Sequence, residues 1–222
     1  ILDAGSGTGY GSRQLRTRYA KSRVIELDLA PGMLQASRSH QPAWKRLLPF
    51  VAAEERVCAD IESLPLRAGS VGMIWSNLAL QWCNDLEATF AGMHGVLESG
   101  GLLMFSTFGP DTLKELRQTF GKLDDHAHVN RFLDMHDIGD ALLRAGFAAP
   151  VMDMETVTLT YDDLAGLMRD LKALGAHNAN QGRGRGLLGK GAWQRLQQNY
   201  EALRRDGKLP ATYEVVYGHA WK

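Results

Sequence analysis

A glycine-rich turn near the beginning of the chain constrains the fold more than any other feature. The residues Asp3-Ala4-Gly5-Ser6-Gly7-Thr8-Gly9 follow a short apolar run and precede an amphipathic stretch. Glycines between a strand and a helix let a ligand approach the backbone closely at the helix N-terminus. The turn therefore predicts an α/β sheet with a nucleotide-like ligand at the carboxyl end of its first strand.

The spacing of the glycines indicates what kind of ligand this is. The dinucleotide pattern GxGxxG would need a third glycine at Tyr10 or Ser12, and neither position has one. Asp3 instead precedes a GxGxG turn, and a carboxylate there repels a pyrophosphate but attracts an ammonium group. We therefore expect a ligand with a cationic end, such as S-adenosylmethionine.

Two further acids follow the next two predicted strands. Asp28 ends the second strand, where its carboxylate can accept hydrogen bonds from ribose hydroxyls, and Asp60 follows the third strand, at a position suited to an adenine amino group. A surface charge at Asp28 and a helix cap at Asp60 are the alternatives. Neither alternative explains the ordered set of acids and glycines.

Alternating apolar runs and amphipathic stretches predict βαβ units in the first two-thirds of the chain. Predicted strands cover 1–3, 23–28, 56–59, 71–76, 102–107, 151–161 and 213–221. Predicted helices cover 10–19, 33–39, 86–97, 112–120, 137–145, 162–174 and 192–205. Thr112 and Glu115 have the spacing of a capping box, and residues 175–191 form a predicted loop rich in Gly, Asn and Arg.

Composition excludes several classes of protein. The 25 basic and 25 acidic residues balance, which disfavours a uniformly basic nucleic-acid binder, and no apolar run reaches the ~18 residues of a membrane span. Cys58 and Cys83 form no CxxC pair, so we interpret them as reduced core residues of a cytoplasmic protein. The histidines lack metal-binding spacing, and we expect no metal. Because Ile1 already lies in a strand, we also expect that an upstream segment is missing.

The turn and the two acids resemble the class I S-adenosylmethionine-dependent methyltransferases. The resemblance implies a Rossmann-like fold with a seven-stranded, mostly parallel sheet, helices on both faces and an antiparallel last strand. It also implies a single domain, with a cofactor-binding half over 1–107 and a substrate-side half over 108–222 that carries a helical insertion at about 162–206. The implied cofactor contacts are Asp3, Gly5, Gly7 and Gly9 for the methionine part, Asp28 for the ribose, and Asp60 with Ile61 for the adenine. Asn77, after the fourth strand, is a further candidate for the methionine end.

Five later segments narrow the resemblance to the malonyl-acyl-carrier-protein O-methyltransferases of biotin synthesis. They are Ser76-Asn-Leu-Ala-Leu-Gln-Trp-Cys83, Thr107-Phe-Gly-Pro-Asp-Thr-Leu-Lys-Glu-Leu116, His128-Val-Asn-Arg-Phe132, Met168-Arg-Asp-Leu-Lys-Ala-Leu-Gly-Ala176 and Leu209-Pro-Ala-Thr-Tyr213. This resemblance implies methylation of the free carboxylate of a malonyl thioester, carried on acyl carrier protein or coenzyme A. In this family the upstream segment helps cover the site.

No general base is expected, because a malonyl carboxylate is already ionised at pH 7. A cation must hold that carboxylate, and arginine suits its bidentate recognition. Arg131 is the first candidate, with Arg169 and Lys172 as alternatives on the next predicted helix. Gln81 and Trp82 are further substrate candidates, because they lie just after the fourth strand.

Charge is distributed unevenly along the chain. Residues 169–208 contain nine basic and three acidic residues, whereas residues 131–163 contain seven acidic and two basic residues. A basic region would attract an acidic carrier protein. A solvated helix with a basic loop is the alternative, and nucleic acid is disfavoured because no aromatic residues are interleaved with the arginines. We expect no membrane association, and the sequence does not predict an oligomeric state.

Two other functions stay open on the sequence alone. A respiratory-complex assembly factor that is associated with hydroxylation of a partner protein's arginine resembles the same family, including its Pro-Ala-Thr-Tyr segment. A methyltransferase of small molecules such as quinones would share the cofactor half.

Overall fold

The computed structural model describes residues 1–40, 55–121, 132–173 and 189–222. Its strands are β1 (Leu2–Ala4), β2 (Ile25–Asp28), β3 (Glu55–Cys58), β4 (Val71–Asn77), β5 (Leu97–Phe108), β6 (Ala148–Tyr161) and β7 (Leu209–Trp221). Its helices are α1 (Tyr10–Arg18), α2 (Pro31–Ser39), α3 (Leu86–Val96), α4 (Lys114–Gly121), α5 (Met135–Arg144), α6 (Leu164–Ala173) and α7 (Lys190–Glu201). The largest difference from the sequence prediction is β5, which begins at Leu97 rather than at residue 102. The predicted loop over 175–191 lies mostly outside the described residues.

The strands form one seven-stranded sheet in the order β3-β2-β1-β4-β5-β7-β6. The neighbours from β3 to β5 are all parallel. β7 runs against β5, because Gly100 N donates to Lys222 O at the start of β5 whereas Gly109 N donates to Glu214 O just beyond its end. These observations confirm the predicted fold class with its antiparallel last strand. Within the described ranges, no helix is long and apolar enough to cross a membrane.

The chain divides into two compact units. The first comprises Ile1–Thr107, Met135–Asp153 and Val216–Lys222, and the second comprises Phe108–Asp134 and Met154–Val215. In the first unit, Phe90 packs against Phe105 and Phe147, with ring centroids 5.6 and 6.4 Å away. In the second unit, Leu167, Leu196 and Tyr200 are fully buried. The first unit thus includes two segments that the sequence prediction assigned to the substrate-side half.

The predicted capping box at Thr112 and Glu115 is wrong. Thr112 Oγ1 exchanges hydrogen bonds with the backbone of Glu214, donating to its carbonyl at 3.0 Å and accepting from its N–H at 3.1 Å. The Glu115 carboxylate accepts hydrogen bonds from the backbone N–H and the hydroxyl of Thr212. Both side chains therefore fasten the start of α4 to β7, a long-range pairing that the local spacing could not indicate.

The core assignment of Cys58 is also wrong, because the residue is exposed. Among the described strands, β3 lies at the edge of the sheet and has no neighbour on one side. Cys83 is partly buried against the core of the first unit, and burial raises the pKa of its thiol to about 11. Both cysteines are free.

A buried charge cluster connects α1, α2, β2 and β3. Glu26 is fully buried and accepts hydrogen bonds from Arg16 at 2.7 Å, Arg56 at 3.0 Å and Ser37 at 2.6 Å. Burial alone would raise the pKa of Glu26, but the bonds from Ser37 and Arg16 and the charge of Arg56 outweigh it, so the pKa lies below its usual value. Glu26 therefore stays ionised and joins four elements of the first unit.

We predict that Glu26→Ala destabilises the fold by about 3–5 kcal/mol, because it leaves two arginines beside an empty buried site. The exposed pair of Arg23 and Glu55 provides a matched control on the same edge of the sheet, with side chains 82% and 42% exposed. Glu55→Ala should cost less than about 1 kcal/mol. Urea unfolding of the two variants measures both losses, and equal losses would contradict the assignment.

Candidate functional site

The glycine-rich turn lies between β1 and α1 with three left-handed glycines. The φ angles of Gly5, Gly7 and Gly9 are 78°, 54° and 75°. A Cβ on Gly5 would lie 2.3 Å from Ala79 Cβ, and one on Gly9 would lie 2.1 Å from Ser37 Oγ. A Cβ on Gly7 would meet no atom within 4 Å. Gly5 and Gly9 are thus packed by the protein itself, whereas the side of the turn at Gly7 is open.

Asp28 ties the turn to β2. Its Oδ2 accepts a hydrogen bond from Gly7 N at 2.7 Å, and its Oδ1 accepts one from Ala30 N at 2.9 Å. Two more hydrogen bonds fix the turn to β2, because Gly5 N and Ser6 N both donate to Leu27 O, at 2.8 and 3.0 Å. Each carboxylate oxygen has a second lone pair, so Asp28 can still accept hydrogen bonds from two ligand hydroxyls. The alternative of an isolated surface charge is therefore wrong.

Asp3 lies beneath the turn rather than on its surface. The residue is 2% exposed, and its Oδ2 accepts a hydrogen bond from Ser12 Oγ at 2.5 Å. Burial raises the pKa of Asp3 to about 6, and the bond from Ser12 offsets that effect only in part. The carboxyl is thus a poorly compensated charge that a nearby cation would stabilise.

The acid after β3 has a structural contact of its own. Asp60 Oδ1 accepts a hydrogen bond from Glu62 N at 2.9 Å within a turn, and no helix begins there, so the helix-cap alternative is wrong. No hydrogen bond reaches the other oxygen from any described residue. Ile61 is partly buried against the core of the first unit. After β3, the chain therefore has an Asp60 oxygen that no described residue bonds, and next to it the apolar side chain of Ile61.

Three predicted site residues lie at the end of β4 in the same unit. Asn77 is the last residue of the strand, and Gln81 and Trp82 follow it. Asn77 Oδ1 accepts a hydrogen bond from Ser106 Oγ at 2.7 Å, which leaves its amide donors for a ligand. Both polar atoms of the Gln81 side chain are hydrogen-bonded. Its amide nitrogen donates to Leu78 O at 2.6 Å, and its amide oxygen accepts from Thr107 Oγ1 at 3.3 Å. Trp82 is 42% exposed, so it is not a core residue.

The cationic candidates lie elsewhere in the chain. Arg169 and Lys172 are exposed on α6 of the second unit. Arg131 lies outside the described residues. The structure thus groups the turn and the acids after β2 and β3 with Asn77 in the first unit, and it leaves the choice among the cations untested.

The sequence prediction did not include several residues that shape the site. Ser37 and Ala79 set the space around Gly9 and Gly5, and Glu26 anchors Ser37. Ser6 is 7% exposed, and its hydroxyl has no hydrogen-bond partner among the described residues. The sequence signal for them was Glu26, a charged residue between the apolar Ile25 and Leu27 of β2.

The residues present fit a nucleoside with a cationic end. The open face at Gly7 offers room beside the backbone. Ser6 offers a buried hydroxyl without a hydrogen-bond partner among the described residues, and Asp3 offers a buried carboxyl that is only partly compensated. Among the described residues, no group of three or more His, Cys, Asp or Glu side chains could hold a metal ion.

Comparison with known proteins agrees with this arrangement. Residues 2–105 match the family model described as a methyltransferase domain. The YcgJ protein of Bacillus subtilis shares the fold, with a TM-score of 0.68 and 14% identity over 100% of this chain and 90% of that one. An S-adenosylmethionine-dependent methyltransferase of Mesorhizobium loti has a TM-score of 0.55 at 21% identity, again over 100% and 90%.

Curated relatives match over the whole chain. A malonyl-acyl-carrier-protein O-methyltransferase of Gallionella capsiferriformans is 64% identical over 100% of this chain and 76% of its own length. One of Laribacter hongkongensis is 62% identical over 100% of this chain and 75% of its own length. The chain therefore belongs to the malonyl-acyl-carrier-protein O-methyltransferase family.

Proposed function

We propose that the protein transfers a methyl group from S-adenosylmethionine to the free carboxylate of a malonyl thioester on acyl carrier protein, an early step of biotin synthesis. The observation that carries this proposal is the match to malonyl-acyl-carrier-protein O-methyltransferases at 58–64% identity over the full chain. No structural observation favours the assembly-factor or quinone alternatives. The two free cysteines are compatible with a reducing compartment, and we propose the cytoplasm.

The chemistry demands little acid–base assistance. A carboxylate oxygen attacks the methyl carbon as the carbon–sulfur bond breaks, which yields a methyl ester and the neutral thioether S-adenosylhomocysteine. No proton moves, so no general base is required. The protein contributes by alignment of the two substrates and by exclusion of water.

The cofactor contacts are proposed from the geometry of the first unit. The backbone at Gly5, Gly7 and Gly9, with the charge of Asp3, would hold the methionine part. Asp28 would accept from the ribose hydroxyls while it holds the turn through Gly7 N. The remaining cofactor contacts are assigned to the residues after β3 and β4, namely Asp60 and Ile61 for the adenine and Asn77 for the methionine end.

The substrate contacts are less constrained. Arg131 stays a prediction outside the described residues, and Arg169 and Lys172 stay alternatives. Gln81 is better explained as a support for the strand ends, because both ends of its amide are bonded within the first unit. Trp82 keeps an exposed ring that can contact a ligand.

Exposed cations on the second unit support the acidic carrier protein as the partner. They are Arg169, Lys172, Lys190, Arg195 and Arg205. Two others are paired, since Arg204 bonds Glu201 at 2.8 Å and Lys208 bonds Asp162 at 2.5 Å. The paired cations add little to the field that an acidic partner experiences.

Transfer of a labelled methyl group from S-adenosylmethionine to malonyl-acyl carrier protein tests the function. We expect label in the carrier protein as a base-labile methyl ester. Unloaded carrier protein, a quinone precursor and a protein substrate serve as controls, and malonyl-coenzyme A measures the preference for the carrier. Label in a control but not in malonyl-acyl carrier protein would overturn the proposal.

We predict that Gly7→Ala weakens S-adenosylmethionine binding at least roughly tenfold, because the new methyl group fills the open face of the turn. Gly69→Ala is the matched control, since Gly69 has a φ of 62° and open space within 4 Å but lies outside the turn. Both changes should cost about 1 kcal/mol of stability through backbone strain. Calorimetric titration measures binding, and an equal loss of affinity in both variants would contradict the role of Gly7.

We predict that S-adenosylmethionine affinity depends on pH through Asp3. The carboxyl has a pKa of about 6 in the free protein, and a ligand ammonium group favours its ionised form. Affinity should therefore fall roughly tenfold as the pH drops from 7 to 5. Asp3→Asn should bind more weakly at pH 7 and lose this dependence, whereas an unchanged pH profile in Asp3→Asn would remove the assignment.

A further inference from the structure

A buried serine near the end of β5 holds the side chain of Asn77. Ser106 is 5% exposed, and its hydroxyl donates a hydrogen bond to Asn77 Oδ1 at 2.7 Å. The same hydroxyl accepts a hydrogen bond from Leu78 N at 3.2 Å. All three residues belong to the first unit. Ser106 therefore contacts both the side chain of Asn77 and the backbone that follows it.

The contact with Ser106 decides which end of the Asn77 amide is available to a ligand. A hydroxyl that donates must meet the oxygen of the amide, so the amide nitrogen is left for another partner. Asn77 is exposed, and no residue in the described ranges accepts a hydrogen bond from its Nδ2. Asn77 therefore offers a ligand a hydrogen-bond donor and not an acceptor.

The backbone after Asn77 is held in a conformation that its sequence does not favour. Leu78 has a φ of 50°, in the left-handed region that leucine rarely adopts. Its N–H donates to Ser106 O at 3.0 Å, and its carbonyl accepts from Gln81 Nε2 at 2.6 Å. Gln81 in turn accepts a hydrogen bond from Thr107 Oγ1 at 3.3 Å. The end of β5 thus fixes this backbone as well as the amide, and strain that is fixed in this way is typical of binding sites.

The register of β1 and β4 places Asn77 beside the glycine-rich turn. Asp3 pairs with Trp75 in the parallel ladder, so the first glycine of the turn, Gly5, comes level with Asn77. Ala79 packs against the same glycine, because a Cβ on Gly5 would lie 2.3 Å from Ala79 Cβ. Asn77 therefore lies at the carboxyl ends of β1 and β4, where open α/β sheets bind their ligands.

The polarity of the amide selects one group of the cofactor. The methionine part of S-adenosylmethionine carries an ammonium group, which only donates hydrogen bonds, and a carboxylate, which only accepts them. An amide nitrogen is a donor, so Asn77 Nδ2 fits the carboxylate. Asp3, a buried carboxyl that is only partly compensated, fits the ammonium group.

We propose that Ser106 is a positioning residue, which orients the amide of Asn77 so that Nδ2 donates to the carboxylate of the methionine part of S-adenosylmethionine. This inference rests on the proposed function, in which Asn77 meets the methionine end of the cofactor. Ser106 acts through Asn77 and does not touch the cofactor. Without its hydroxyl, the amide is free to turn over and present its oxygen, which repels the carboxylate.

A double-mutant cycle of Ser106→Ala and Asn77→Ala, measured by calorimetric titration with S-adenosylmethionine, tests this proposal. Each single variant should bind S-adenosylmethionine about tenfold more weakly, because a hydrogen bond to a charged group is lost or misdirected. The double variant should bind no more weakly than Asn77→Ala, because Ser106 acts only through Asn77. Additive losses, or an unchanged affinity in Ser106→Ala, would overturn the proposal.

Ser76→Ala is the matched control. Ser76 is fully buried on the neighbouring strand β4, and its hydroxyl has no hydrogen-bond partner among the described residues. Loss of this hydroxyl should leave the affinity for S-adenosylmethionine unchanged. A loss as large as that in Ser106→Ala would show a general effect of buried hydroxyls and would contradict the role of Ser106.

Decarboxylated S-adenosylmethionine identifies the group that Asn77 binds. This analogue lacks the carboxylate and keeps the ammonium and sulfonium groups. Wild-type protein and Ser106→Ala should bind it with the same affinity, because the partner of the amide nitrogen is gone. A difference as large as that for S-adenosylmethionine would exclude the carboxylate.

Asn77→Asp tests the same assignment even if Ser106→Ala destabilises the fold. The aspartate keeps an acceptor for the Ser106 hydroxyl and replaces the ligand-facing donor with a carboxylate. S-adenosylmethionine should therefore bind more weakly to Asn77→Asp than to Asn77→Ala, whereas the decarboxylated analogue should not. Equal affinities of these two variants for S-adenosylmethionine would overturn the proposal. Wild-type protein that binds S-adenosylmethionine but fails to methylate malonyl-acyl carrier protein would instead overturn the proposed function.

Discussion

The hydrogen bond from Gly7 N to the Asp28 carboxylate is the interaction on which the site depends. It fixes the open part of the turn against the end of β2, and Ala30 N fixes the other carboxylate oxygen. The turn can follow this path only because Gly5 and Gly9 leave room for Ala79 and Ser37. A ligand that binds both the turn and Asp28 therefore meets a preformed arrangement and loses little free energy to ordering it.

Local patterns predicted correctly where the glycine-rich turn and Asp28 lie in the fold, whereas their contacts with a ligand stay predictions. Asp28 and the glycines could be located because a short strand, a turn and a helix follow one another in the sequence. The same reasoning failed at Thr112 and Glu115, since spacing that fits a capping box also fits two contacts to a strand about a hundred residues away. The contact with β7 becomes visible only once the sheet order is known. Local spacing alone cannot distinguish a capping box from contacts with a distant strand.

The second unit illustrates a different limit of sequence reasoning. Tyr200 and Tyr213 belong to one buried cluster, and their sequence neighbours do not indicate which hydroxyl is bonded within the fold. The difference comes from Pro210 O, which reaches one hydroxyl and not the other.

Three carboxylates in neighbouring strands have different roles because their surroundings differ. Asp3 and Glu26 face each other in the pairing of β1 with β2, yet Glu26 is neutralised by two arginines whereas Asp3 has one hydroxyl. Asp28 is satisfied by backbone N–H groups and remains able to accept more. The least compensated of the three charges is therefore at Asp3, beneath the turn. An ammonium group on a bound ligand would supply the missing charge, and electrostatics thus favours S-adenosylmethionine over an anionic nucleotide at this turn.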